Sequence, residues 1–158
     1  MKKTILITTD FSIESLLPVK HAALANPDSQ IEIILMYCCF TSNSITDLLF
    51  YSPESIIDQA MSFEFKEACV ILENTYHSRI KLSIEVFHGL NNSAFENFIA
   101  GKKITEAVIL KNYKYKLEKN NFDPIPYIKK SHLSYEEVSW PEDKQQHKDI
   151  LLFNLFIN

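Results

Sequence analysis

The chain has 158 residues, about one domain's worth, and its 46% hydrophobic and 12% aromatic content can build a substantial core, which argues against a wholly disordered chain. Sixteen basic residues against twenty acidic ones leave a formal charge of −4, which argues against a generally basic nucleic-acid coat protein. The longest late apolar run, Ile150 to Ile157, is broken by Asn154 and falls far short of the ~20 residues of a membrane helix, and Met1-Lys2-Lys3 opens no signal-peptide pattern.

Three cysteines, with Cys38 and Cys39 adjacent, make no disulfide framework and suit a reducing compartment, so the expected location is the cytoplasm. Only two glycines occur, where ordinary usage of ~7% would supply about eleven.

Thr4 to Ile7 is a short β-branched apolar run that breaks at Thr8-Thr9-Asp10, the pattern of a strand buried on both faces. A helix follows, capped by Ser12 or Ser15, with Leu16, Val19 and Ala23 at steps of three and four and Pro18 in its first turn. Asn26-Pro27-Asp28 ends it, and Ile31 to Tyr37 reads as a second central strand. Residues 40 to 52 form a polar connection, after which Ser52-Pro53-Glu54 starts a long helix whose stripe runs Ile57, Met61, Phe65, Ala68, Cys69, Leu72 and Tyr76. Leu82, Ile84 and Val86 alternate with Ser83, Glu85 and Phe87 in a third strand ending at Gly89. Asn92 or Ser93 caps a third helix closed by Gly101, and Glu106 to Leu110 is a fourth strand. Beyond it, 124 to 131 reads as a short helix, 133 to 140 as a strand, 141 to 148 as a polar linker and 149 to 157 as a final strand.

Alternating strands and helices at these spacings predict right-handed crossovers, hence an open parallel sheet with helices on both faces. The division expected is an α/β domain over residues 1 to 140, then a linker and a C-terminal strand over 141 to 158 that folds back on its own sheet edge or pairs across a dimer.

The stretch Lys3-Thr4-Ile5-Leu6-Ile7-Thr8-Thr9-Asp10-Phe11-Ser12, with a helix and then Ile33-Ile34-Leu35-Met36-Tyr37, resembles the start of a universal stress protein. The similarity in order and spacing covers roughly residues 1 to 140. It implies a five-stranded α/β fold of the adenine-nucleotide-binding type, commonly dimeric through the last strand. Nucleotide-binding members carry glycine, two residues, glycine, nine residues, glycine and serine or threonine after the fourth strand, a loop whose backbone N–H groups cradle phosphates. Here the matching positions hold Lys111, Lys114, Pro124 and Ile125, and no glycine occurs after Gly101. Thr9, Asp10 and Tyr37 match the half of the site near adenosine, so the resemblance implies a degenerate site made of Thr9, Asp10, Tyr37, Lys111 and Lys114.

Asp10 stands at the carboxyl end of the first strand, where open α/β sheets place ligands, and reads equally as a hydrogen-bond acceptor for the Phe11 to Ser15 turn. From Lys102 to Lys130 eight lysines face three acids, an excess of five positive charges. Within this stretch Asn112-Tyr113-Lys114-Tyr115-Lys116 is either a solvated loop or a side-chain site for an anion, a phosphorylated ligand or single-stranded nucleic acid. Five scattered histidines show no metal spacing, and no activated serine or Cys/His pair is visible, so no metal, cofactor or catalytic residue is expected.

The leading expectation is a non-enzymatic stress-response or signalling module acting through dimerisation or a protein partner, without a membrane or nucleic-acid role. The alternative is a binder of a nucleotide or other anion through Asp10 and the lysine loop.

Overall fold

The computed structural model describes residues 2–41, 45–49, 51–89 and 91–139. The polar linker and final strand expected over 141 to 157 lie outside the described residues. Five strands, β1 (Lys3–Thr8), β2 (Ile31–Cys38), β3 (Ile80–Phe87), β4 (Glu106–Lys111) and β5 (Ser134–Ser139), form one sheet in the order β3-β2-β1-β4-β5. Every pairing is parallel, with Lys3 beside Ile31, Ile5 beside Glu106, Ile31 beside Ile80 and Glu106 beside Ser134. The expected open parallel α/β sheet is thus the one observed.

Apolar runs in β1 and β2 follow from burial on both faces. Ile5, Ile7, Ile33 and Leu35 pack with Leu16, Val19, Ala23, Phe65 and Leu72 on one side of the sheet. Leu6, Ile34 and Met36 pack with Phe87, Phe95, Ile109 and Ile128 on the other. Helices α1 (Leu17–Ala25) and α4 (Phe63–Thr75) supply the first layer, α5 (Asn92–Lys102) and α6 (Ile125–Lys130) the second. Two shorter helices, α2 (Ile45–Leu49) and α3 (Pro53–Ala60), lie between β2 and α4.

Several boundaries differ from the sequence expectation for local reasons. The stripe from Ile57 to Tyr76 belongs to two helices: Met61 is extended, and Ser62 caps α4 by accepting the Phe65 N–H at 3.2 Å. The connection over 40 to 52 contains α2. Ser12 caps a 3₁₀ turn at Ile13–Leu16, and Pro18 lies in the first turn of α1, as its missing N–H favours. Asn91, rather than Asn92 or Ser93, caps α5 by accepting the Ala94 N–H at 2.8 Å. Gly101 does not close that helix: the left-handed closing residue is Lys103 at φ 56°.

Because β1 connects to β2 on one side while β4 is added on its other side, the chain reverses direction across the sheet between β1 and β4. A crevice at the carboxyl ends of those strands is where this architecture takes ligands. Thr8 to Asp10 and the segment after Lys111 meet there.

Candidate functional site

Thr9 is buried and committed to the fold. Its N–H donates to the Met36 carbonyl at 2.9 Å, and its Oγ1 accepts the Phe11 N–H at 3.0 Å and lies 2.8 Å from Ser15 Oγ. Phe11 turns the chain with a left-handed φ of 61°, which brings the Ser12 N–H back to Asp10 Oδ1 at 3.0 Å. The Ser12 hydroxyl donates to the same oxygen. Asp10 Oδ2 accepts the Tyr113 hydroxyl at 2.9 Å and the backbone N–H of Lys116 at 2.8 Å. The carboxylate therefore has four donors, all from its own chain.

The other side of the crevice is built by residues 112 to 124. Asn112, at φ 62°, redirects the chain as it leaves β4. Tyr115 is buried, its hydroxyl hydrogen-bonded to Thr8 Oγ1, and its ring stands perpendicular to that of Tyr113 with centroids 5.0 Å apart. Burial, with the Asp10 charge adding to it, pushes both phenols far above their ordinary value of 10.0, so both are neutral donors at any physiological pH. Asn121 donates to the Cys38 carbonyl at 2.9 Å, and the Phe40 N–H donates to the Asn120 carbonyl at 2.8 Å, which ties the segment to the end of β2. Phe122 packs against Phe40 with centroids 4.5 Å apart and against Gly89, where a Cβ would stand 3.0 Å from the ring.

Tyr37 is buried, its ring 4.5 Å from that of Phe11, and burial raises its phenol as well. Between Thr9, Asp10, Tyr37, Tyr115, Asn121 and Phe122 the remaining cavity is about 10 Å³, room for roughly one water. Small-molecule sites occupy ~300–1,000 Å³. The crevice is filled by the protein's own side chains.

Of the five residues expected to share a site, Thr9, Asp10 and Tyr37 gather around this small cavity. Lys111 and Lys114 do not: they border a separate cleft of about 780 Å³ with Leu117, Ile125, Lys129 and Glu137. Tyr115 and Leu117 border both spaces, while neither lysine borders the one that holds Asp10. From the sequence Tyr113 and Tyr115 read as loop aromatics, and Asn121 and Phe122 carry no visible role. The interleaved tyrosines are the visible signal, but their partners lie about a hundred residues away in the chain.

The glycine-loop positions offer no phosphate cradle. Pro124 precedes α6 without an N–H, and the Ile125 N–H donates to the Asp123 carboxylate at 3.0 Å, so an acid already occupies that helix start. Among the described residues no group of three His, Cys, Asp or Glu side chains is placed to hold a metal ion, and no helix is long and apolar enough to cross a membrane. The thiol of Cys38 is buried and raised by that burial, and Cys69 is pushed up to about 12 for the same reason, the opposite of nucleophile activation.

A five-stranded parallel α/β domain with helices on both faces and a closed carboxyl-end crevice is the class that fold and geometry define. Among solved structures, the universal stress protein UspA from Lactobacillus plantarum is similar at a TM-score of 0.56 and 10% identity, over 86% of this chain and 97% of that one. The hypothetical protein PH0823 is similar at 0.53 and 15% identity over 89% and 97%, and the hypothetical protein MJ0577 at 0.52 and 18% over 88% and 96%. The chain thus has the universal stress protein fold. No protein-family model and no curated protein matches the sequence.

Proposed function

We propose that this protein is a non-enzymatic stress-response or signalling module that acts through dimerisation or a protein partner. The observation that carries this reading is the 10 Å³ left in the crevice, together with the commitment of Asp10 to four internal hydrogen bonds. A carboxylate so saturated is a poor general base, and Ser12, Thr9 and Ser15 hydroxyls are equally engaged with one another and with Asp10. Partner binding has a surface available: β5 ends the sheet, and no further strand pairs with it among the described residues. Tyr135 on that strand is 42% exposed.

Calorimetric titration of purified, nucleotide-free protein with Mg-ATP, paired with sedimentation at micromolar concentration, tests the reading. No nucleotide binding and a dimer are expected. A micromolar dissociation constant, or ATP carried through purification, overturns the closed-crevice reading; a clean monomer that captures no partner overturns the proposed mode of action. The alternative, one anion held jointly by Asp10 and the lysines, is opposed by the separation of the two spaces.

A further inference from the structure

We propose that the cleft between the 111–117 segment and α6 binds a small organic anion, a carboxylate or phosphate monoester carrying an apolar body. At about 780 Å³ the cleft has the size of small-molecule sites, and it is independent of the crevice that Asp10 closes. Its lining pairs cationic groups with apolar ones: Lys111 and Lys114 are exposed, while Ile109, Leu117 and Ile125 supply apolar surface. Leu117 is 48% exposed, apolar area that a ligand body would cover.

The charges are not balanced within the cleft. Glu137 is matched by Lys129 at 3.3 Å, and the Asp123 carboxylate accepts the Ile125 N–H. No carboxylate lies within salt-bridge distance of Lys111 or Lys114 among the described residues. Their mount is anchored, because Tyr115 fastens the same segment to Thr8 while Tyr113 and the Lys116 N–H fasten it to Asp10. Two ammonium groups on an anchored segment cost less ordering on binding than two on a free loop. The apolar lining selects a monomeric ligand with a body over a bare ion, and the protein's net charge of −4 disfavours a nucleic acid.

The test is a heteronuclear NMR titration of the full chain at low salt with phenyl phosphate, benzoate, inorganic phosphate and a short oligonucleotide. Saturable shifts at Lys111, Lys114, Leu117 and Ile125 with phenyl phosphate or benzoate are expected, with weaker binding of inorganic phosphate. Lys111→Ala combined with Lys114→Ala should weaken binding by about tenfold or more, while Lys102→Ala combined with Lys103→Ala, outside the cleft, should leave it unchanged. The proposal is overturned by absent binding, by equal loss in both double variants, by shifts centred on Asp10 and Tyr37, or by inorganic phosphate or the oligonucleotide binding as tightly as phenyl phosphate. Shifts centred on Asp10 and Tyr37 would count against the closed crevice as well, whereas the other three outcomes leave the proposed function standing.

Discussion

The carboxylate of Asp10 accepts the backbone N–H of Lys116 at 2.8 Å, a bond that joins the turn after the first strand to a segment 106 residues further along the chain. With the Tyr113 hydroxyl on the same oxygen, it is the latch that keeps residues 112 to 117 across the crevice. Replacing Asp10 with alanine removes four acceptor contacts and should cost about 2–3 kcal/mol in denaturant unfolding. Native-state hydrogen exchange is the sharper readout: amides of 112–117 should exchange faster while β1 and β2 keep their protection. Uniform loss of protection throughout the sheet would show that Asp10 supports the whole fold and latches nothing.

Tyr115→Phe removes the hydroxyl that bonds Thr8 and leaves a buried threonine oxygen without that partner. A loss of about 1–2 kcal/mol is expected, and Tyr115→Ala, which adds a cavity, should cost about 3–5 kcal/mol. A phenylalanine variant as stable as the parent would mean that the bond contributes nothing.

Glycines placed at 111 and 114 alone should not create an ATP site. Both positions border the outer cleft and not the filled crevice, Pro124 still lacks an N–H, and the Asp123 carboxylate still occupies the start of α6. Heat on titrating that double variant with Mg-ATP, at a micromolar dissociation constant, would contradict this.

Gly89 has φ of +80°, and a Cβ there would meet the Phe122 ring at 3.0 Å. Gly89→Ala should therefore destabilise by about 1–3 kcal/mol through backbone strain and displacement of Phe122. Gly101→Ala, with open space around it and a helical backbone, should be neutral or slightly stabilising. Equal effects of the two changes in thermal unfolding would refute the assignment.

Burial raises the Cys69 thiol from its ordinary 9.0 to about 12, so the folded state prefers the neutral form. The stability linked to this preference is complete below pH 9 and is lost as pH climbs from 9 to about 12. Cys69→Ala should flatten that part of the alkaline decline. An unchanged slope between pH 9 and 12 would show that the thiol does not titrate with unfolding.

The sheet is legible in the sequence because each strand of the core carries its own signal. Thr4 to Ile7 and Ile31 to Tyr37 are unbroken apolar runs, and strand–helix alternation leaves few topologies. The break between α3 and α4 is far less visible, since Ile57, Met61 and Phe65 keep a helical spacing across it and only the cap at Ser62 betrays it. The site is half legible: Asp10 stands out by position, but whether its carboxylate faces a ligand or the chain depends on Tyr113 and Lys116, whose approach no local pattern encodes. Tyr115 is harder still, because a tyrosine between two lysines has the composition of a surface loop, yet it is buried with its hydroxyl bonded to Thr8.

The order β3-β2-β1-β4-β5 also has a consequence during synthesis. The ribosome delivers β1, β2 and β3 first, and these can pair at once, but the second neighbour of β1 arrives only with Glu106–Lys111. Until then Ile5, Leu6 and Ile7 form the raw margin of a nascent three-stranded sheet, a template for pairing with another chain. The yield of folded protein should accordingly depend on translation speed across Asn92–Lys102: rare codons there would prolong the vulnerable stage and favour aggregates, although the finished molecule would keep no trace of the delay.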